Sequence, residues 1–186
     1  MTDGRSESLS HDLRYGIAAS PIGLCFVATT ARGLCALSFL DDPLTASVGS
    51  AVTALRRHWP ESAPYRDDNV AARLAAEIFA PGTRAPARQA VQLDLRGTPF
   101  DQRVWTALLT IPTGTTTTYG ALARALGSPG ASRAVGNAVG RNPVAVVVPC
   151  HRVVRSDGQL GGFRWGVARK ITLLALERNT APLDRE

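Results

Sequence analysis

The chain has 186 residues, a formal charge of +6, 45% hydrophobic residues and 19% charged ones. Those proportions describe a folded globular protein of one domain or two small ones, and no window approaches the roughly 18 consecutive apolar residues of a membrane helix. Cys25, Cys35 and Cys150, the only three cysteines, sit at no metal-ligand spacing, which predicts reduced thiols, no bound metal and a cytoplasmic protein.

The charge is unevenly placed. Residues 1–96 carry ten Arg and ten acids, whereas residues 97–186 carry ten Arg, one Lys and five acids. Between Arg103 and Lys170 the only acid is Asp157. A basic half beside a neutral half suggests a polyanion met by one half alone. Genome composition can account for Arg over Lys, but not for the missing acids.

Residues 1–12, "MTDGRSESLSHD", are polar and acid-bearing, so they read as neither signal nor transit peptide but as a disordered tail. From Leu13 apolar residues alternate through Tyr15, Ile17 and Ala19. A turn at "SPIG" leads to "LCFVAT" and "TARG" leads to "LCALSF", predicting a three-stranded antiparallel meander. Cys25 and Cys35 fall in its second and third strands, far in sequence from any His or acid, and read as structural. Residues 44–58 and 69–80 read as helices, the second with Val70, Leu74 and Ile78 on one stripe and "PG" as its stop. "VQLDLRG" alternates again and closes an α/β N-terminal domain over residues 13–96.

A mainly helical domain is expected over residues 97–180, with a short tail at 181–186. In "TPFDQRVWTALLTIP", Thr98 is an N-cap, Pro99 opens the helix and Asp101 completes a capping box. Phe100, Val104, Leu108 and Ile111 make its apolar stripe. A short helix over Thr118–Leu126, the turn "GSPG" and a helix over Ala131–Gly140 read as helix-turn-helix. That last helix has a core stripe of Val135 and Val139. Ala131, Ala134 and Ala138 leave another face almost bare, and Gly136 and Gly140 thin it further. Glycine inside a helix costs about 1 kcal/mol relative to alanine. Close approach to a nucleic-acid groove would explain it, with Arg133 standing amid small residues, and so would helix-on-helix packing.

"VVVPCHRVV" poses the chemical question. Pro143 and Pro149 bracket "VAVVV", which reads as a fully buried strand. Cys150 at its end is either a small core hydrophobe or a nucleophile. As a nucleophile it needs a base or a lowered pKa. His151 is adjacent, but consecutive extended residues point to opposite sides. Either the backbone turns at Pro149-Cys150 or the proton moves through a water. A carboxylate on the far imidazole nitrogen would help. In "VARKITLLALER", Glu177 lies three and four residues beyond Leu174 and Leu173, on the inward face unless it frays outward.

"RNPVAVVVPCHRVV" resembles the active-site signature of the O6-alkylguanine-DNA alkyltransferases (methylated-DNA–protein-cysteine S-methyltransferases). "TYGALARALG", "ASRAVGNAVGRNP" and "LLALE" are similar to the family's segments that carry its tyrosine, recognition-helix arginine and glutamate. The resemblance runs from about Leu13 to Glu177, and "GFRWGVARK" is most similar to the C-terminal half of the adaptive-response Ada proteins. It implies an RNase H-like antiparallel sheet with helices, then a winged helix-turn-helix-like module. It also implies a monomer without cofactor that repairs O6-alkylguanine in double-stranded DNA. The helix-turn-helix would enter the minor groove and the damaged base would flip into a pocket. Arg133 would fill the vacated stack, and Ala131, Ala134 and Gly136 would let the backbone approach the groove. Tyr119 would turn the flanking phosphate and protonate the leaving guanine. Glu177, His151 and a water would deprotonate Cys150, which takes the alkyl group irreversibly, and Asn142 would brace its turn. The carbonyls of Cys150 and Val153 and the backbone at Arg164 would read the base. Many relatives have tyrosine where Phe163 stands, and others carry small residues at Arg164 and Trp165, so the pocket should differ in shape. A DNA-binding sensor without chemistry and a cysteine hydrolase are the competing classes.

Overall fold

The computed structural model describes residues 12–41, 46–80 and 91–180. The expected tails before residue 12 and after residue 180, and the first two positions of the helix expected at 44–58, lie outside them.

Alternation in the first half yields strands β1 (Arg14–Ser20), β2 (Gly23–Thr30) and β3 (Gly33–Phe39), paired antiparallel as a meander. Their register aligns Ser20 with Gly23 and Thr30 with Gly33, so each hairpin turns on two residues. Gly33 is required at its place: φ is +143°, and a Cβ would stand 2.4 Å from the Gln92 carbonyl oxygen. A two-residue strand, β4 (Tyr65–Arg66), joins β1 in parallel and extends the sheet to the order β3-β2-β1-β4. The periodicity did not announce it, because two exposed residues have no pattern.

The central strand β2 is covered on both faces. Phe26 and Ala28 face α1 (Ala46–His58) with Leu55 and the adjoining Trp59, whereas Cys25 and Val27 share a second core with Ala71, Ala75 and Ile78 of α2 (Asp68–Phe79). "VQLDLRG" does not form the regular strand its alternation suggests. It makes one parallel bridge, Leu93 to Leu34, flanked by bonds from Leu34 N to Gln92 O and from Asp94 N to Leu34 O. Asp94 is buried there, accepting from Thr30 and Arg32, and that polar cluster takes the place of further ladder.

The helical half begins with α3 (Pro99–Leu109), whose capping box is complete: Asp101 N donates to Thr98 Oγ1 at 3.1 Å and Thr98 N to Asp101 Oδ2 at 3.2 Å. Val104, Trp105 and Leu108 are buried, as is Ile111 just beyond the helix. Thr118 caps α4 (Tyr119–Ala125), and α5 (Ser132–Gly140) follows after the turn. Strands β5 (Thr117–Thr118) and β6 (Val153–Val154) form a small parallel pair behind them, and α6 (Val167–Thr180) closes the chain. In α5, Val135 and Val139 face the core as expected. Ala138 does too, which corrects its placement on the bare face: it is fully buried, and its carbonyl accepts from Trp105 Nε1 at 2.9 Å.

The five residues of "VAVVV" are buried but are not a strand. Val144 alone bridges Leu37; the chain then turns, with Val147 N bonding to Ala145 O and Val148 N to Val144 O. Val146 takes the left-handed φ of 69°, a strained choice for a β-branched residue. The loop lies between sheet and helices, and its bonds to both sides of Leu37 fix it there: Leu37 N to Pro143 O and Ala145 N to Leu37 O. Here β-branched content reported burial, not extension.

Candidate active site

The same loop delivers Cys150. Beyond Pro149, residues Cys150–Arg152 form one 3-10 turn, with Arg152 N bonded to Pro149 O. The backbone does turn at Pro149-Cys150, but the turn aims the His151 ring at Glu177 and leaves Cys150 Sγ on Asn142, so the turn and a bridging water are not alternatives. Asn142, fully buried, ties the turn together: its Nδ2 donates to Val148 O at 2.8 Å and to Cys150 Sγ at 3.1 Å, and its Oδ1 accepts from Val144 N.

His151 and Glu177 meet in the interior. Nε2 of His151 lies 3.0 Å from Glu177 Oε1, and Glu177 is 2% exposed, so it is an inward residue and not a frayed one. Arg152 completes the group: its Nη2 reaches Glu177 Oε1 at 2.7 Å and its Nε reaches Oε2 at 2.9 Å, while Nη1 bonds the Ile111 carbonyl. Burial alone would push the Glu177 carboxyl up, but the hydrogen bonds and charges of His151 and Arg152 outweigh it and hold it at about 2.

Burial pushes the Cys150 thiol up to about 11, against the hydrogen bond from Asn142, the charge of Lys170 and the backbone amides of Cys150 and His151. Cys25 and Cys35 are also pushed up by burial, to about 11 and about 12. What distinguishes Cys150 is its surroundings. It opens on a cavity of about 380 Å³ lined also by Tyr119, Val139, Phe163, Arg164 and Trp165. Tyr119 comes from the first turn of α4, with its hydroxyl pKa raised by burial and by the nearby Cys150. Trp165 is wedged edge-on between Phe163 and Phe39, with ring centroids 5.1 and 6.2 Å away. Arg164 lies over its ring.

Val153 does not line this cavity. It is fully buried, and its carbonyl accepts from Lys170 Nζ at 2.7 Å. On α5, Arg133 and Ala134 are exposed, Ala131 is the half-buried N-cap, and a Cβ on Gly136 would only touch the Tyr119 ring at 3.7 Å. Internal packing therefore does not demand glycine at that position, and the outer face stands open.

Sequence reasoning missed Arg152 and Lys170. Arg152 had a signal, a cation set among valines in "CHRVV". Lys170 had another: it is the one lysine beside 20 arginines. Fully buried, it reaches the carbonyls of Val153 and Leu160 with a compact ammonium where a planar guanidinium has a different shape and hydrogen-bond fork. Among the described residues no group of His, Cys, Asp and Glu could hold a metal ion, and no helix is long and apolar enough to cross a membrane.

Residues 99–179 match the family model "6-O-methylguanine DNA methyltransferase, DNA binding domain", and residues 13–60 match "6-O-methylguanine DNA methyltransferase, ribonuclease-like domain". The methylated-DNA–protein-cysteine methyltransferase of Mycobacterium tuberculosis is 42% identical over 175 residues, 92% of this chain and 96% of that protein. The chain belongs to the 6-O-methylguanine DNA methyltransferase family. The Escherichia coli bifunctional transcriptional activator/DNA repair enzyme Ada is 41% identical over 165 residues, 89% of this chain but 45% of Ada. The chain thus spans about half of that relative. The crystal structure of M. tuberculosis OGT in complex with DNA superposes with a TM-score of 0.69 at 39% identity, covering 92% of this chain and 96% of the other. The family fold, a sheet domain followed by a helical DNA-binding domain, is the one described above. The reaction of this methyltransferase family, transfer of an alkyl group from methylated DNA to a cysteine of the protein itself, is the reaction of this chain.

Proposed function

We propose that Cys150 is the acceptor, and that the substrate is O6-alkylguanine flipped from duplex DNA into the cavity in front of it. The observation that carries this reading is the buried series Asn142–Cys150, His151–Glu177, set behind a cavity walled by Tyr119. A thiol held near 11 is protonated at neutral pH, so the proton must leave as the base arrives. Through a water it passes to His151, whose imidazolium Glu177 then stabilises. The thiolate attacks the alkyl carbon in line; the S–C bond forms as the C–O6 bond breaks, and the leaving guanine takes a proton from Tyr119, which regains one from the imidazolium through solvent. Nothing cleaves a thioether, so each molecule acts once. Arg133, Ala131, Ala134 and Gly136 supply the minor-groove face, with Arg133 in the vacated stack. Arg164 and Trp165 shape the pocket. The chain acts as a monomer in the cytoplasm.

Intact mass after incubation with excess O6-methylguanine duplex tests this. The wild type gains one methyl group per chain and stops, and Cys150→Ala gains none while still binding DNA. Continued turnover, or a methyl mapped to Cys25 or Cys35, overturns it.

A further inference from the structure

The residues lining the Cys150 cavity come from the helical half, yet the sheet holds one wall of it through a single side chain. Arg169, in the first turn of α6, bonds across the two halves. Its Nε donates to Ile22 O at 3.3 Å in the turn between β1 and β2, and its Nη2 to Leu40 O at 3.1 Å just after β3. Its Nη1 donates to Asp41 Oδ1 and to Trp165 O, both at 2.8 Å. A planar guanidinium can serve such spread acceptors together, where an ammonium is a point charge.

The same guanidinium lies over the Phe39 ring, 5.5 Å from its centroid, and Phe39 meets the Trp165 indole edge-on. The carbonyl of Trp165 and one of its two ring neighbours are thus fixed by one cation, and that cation is anchored in the sheet. Trp165 also borders a second cavity, of about 100 Å³, between sheet and helices. An indole with a cavity on its other side yields to a bulky ligand unless something holds it.

We propose that Arg169 is a specificity-determining residue: by locking Trp165 to the sheet, it sets the largest alkyl group that the Cys150 cavity accepts. The proposal rests on the reading of that cavity as the substrate pocket. Arg169 does not line the cavity and acts only through Trp165, so it is a positioning residue. Loosening it lets the indole retreat before a bulky group. Methyl transfer needs no added volume and stays as it was. A mere staple between the halves would behave differently, since its loss would slow both transfers alike.

The test is the ratio of single-turnover rates for O6-benzylguanine and O6-methylguanine in the same duplex, measured on the full chain. Arg169→Met keeps the stem and removes the fork. It should raise the benzyl-to-methyl ratio by about fivefold or more, part of what overpacking a site costs, with the methyl rate nearly unchanged. Phe39→Leu removes the ring but not the cation; it should move the ratio the same way, and it decides the matter if Arg169→Met does not fold. In a Trp165→Gly background neither change should move the ratio further, because effects that pass through one side chain do not add. A rise with Trp165→Gly but none with Arg169→Met overturns the proposal and leaves the pocket reading intact. No rise with any of the three overturns both. Equal slowing of the two transfers, or a full further rise in the Trp165→Gly background, overturns the proposal as well.

Discussion

Glu177 accepts from His151 and from both ends of the Arg152 fork, so one carboxylate pairs with a cation and orients an imidazole. A carboxylate held at about 2 does not take up a proton near neutrality; it orients the imidazole and offsets its charge after proton transfer. Glu177→Gln should therefore slow single-turnover methyl transfer by roughly tenfold to a hundredfold, as losing the carboxylate behind a metal-bound histidine does elsewhere. DNA affinity should scarcely change, and an unaltered rate would show that His151 needs no orienting charge. Trp165 bears on which alkyl groups are accepted. Wedged between Phe39 and Phe163, it has no vacant place to move into without breaking one ring contact. Forcing added volume into a packed site costs about 1 to 3 kcal/mol, roughly tenfold to a hundredfold in rate. O6-benzylguanine should accordingly be a poor substrate beside O6-methylguanine. Trp165→Gly should restore benzyl transfer and leave methyl transfer nearly intact, measured as single-turnover rates for both groups in both proteins.

Among the elements, α5 has its apolar side fixed in the core and its outer side made of Arg133, Ala134 and Asn137, all exposed. If that outer side enters the duplex, Arg133→Ala should lower repair of duplex lesions by roughly a hundredfold, the equivalent of a few kcal/mol of unpairing and unstacking. Reaction with the free base O6-methylguanine should be nearly unchanged, and equal losses on both substrates would place Arg133 elsewhere. Helices and hairpins were legible where periodicity and caps agreed, as with Val135 and Val139 in α5 or Thr98 before α3. Where the reading failed or fell silent, the reasons are identifiable. Ala138 is small enough to suit either face, and only the indole of Trp105 decides which it takes. The valines after Pro143 are buried on every side, so their pattern carries no period, and Val146 adopts a φ that no propensity anticipates. Arg152 and Lys170 find their partners 25 and 17 residues away, and pairing at that separation has no local signature. Cys150 and His151 stood out because one short segment holds both, whereas Asn142 was named only on the family resemblance.

For the molecule as a whole, paired carboxylates and buried thiols set the pH range of stability. Asp94, Asp101 and Glu177 have folded pKa values below their ordinary ones of 3.8 and 4.5. Their contribution is present above those ordinary values and fades as pH falls through the folded ones. The three thiols are raised from 9.0 to between about 11 and 12, so theirs is present below 9.0 and fades as pH rises. Denaturant unfolding should show a plateau between about pH 5 and pH 9, falling on both sides; a maximum outside that window would mean other groups dominate. The attachment of α5 has a mechanical consequence at this scale. Trp105 holds it through the Ala138 carbonyl and Arg141, its C-cap, is clamped to Asp101, so the helix is a stiff wedge. When stiff and compliant bodies are pressed together, the compliant one deforms, and if the outer side of α5 enters the duplex as proposed, that is the double helix. Bending work depends on the sequence bent. Lesions flanked by easily kinked pyrimidine–purine steps should thus be repaired faster than the same lesions in rigid A-tracts, without any side chain reading those flanking bases.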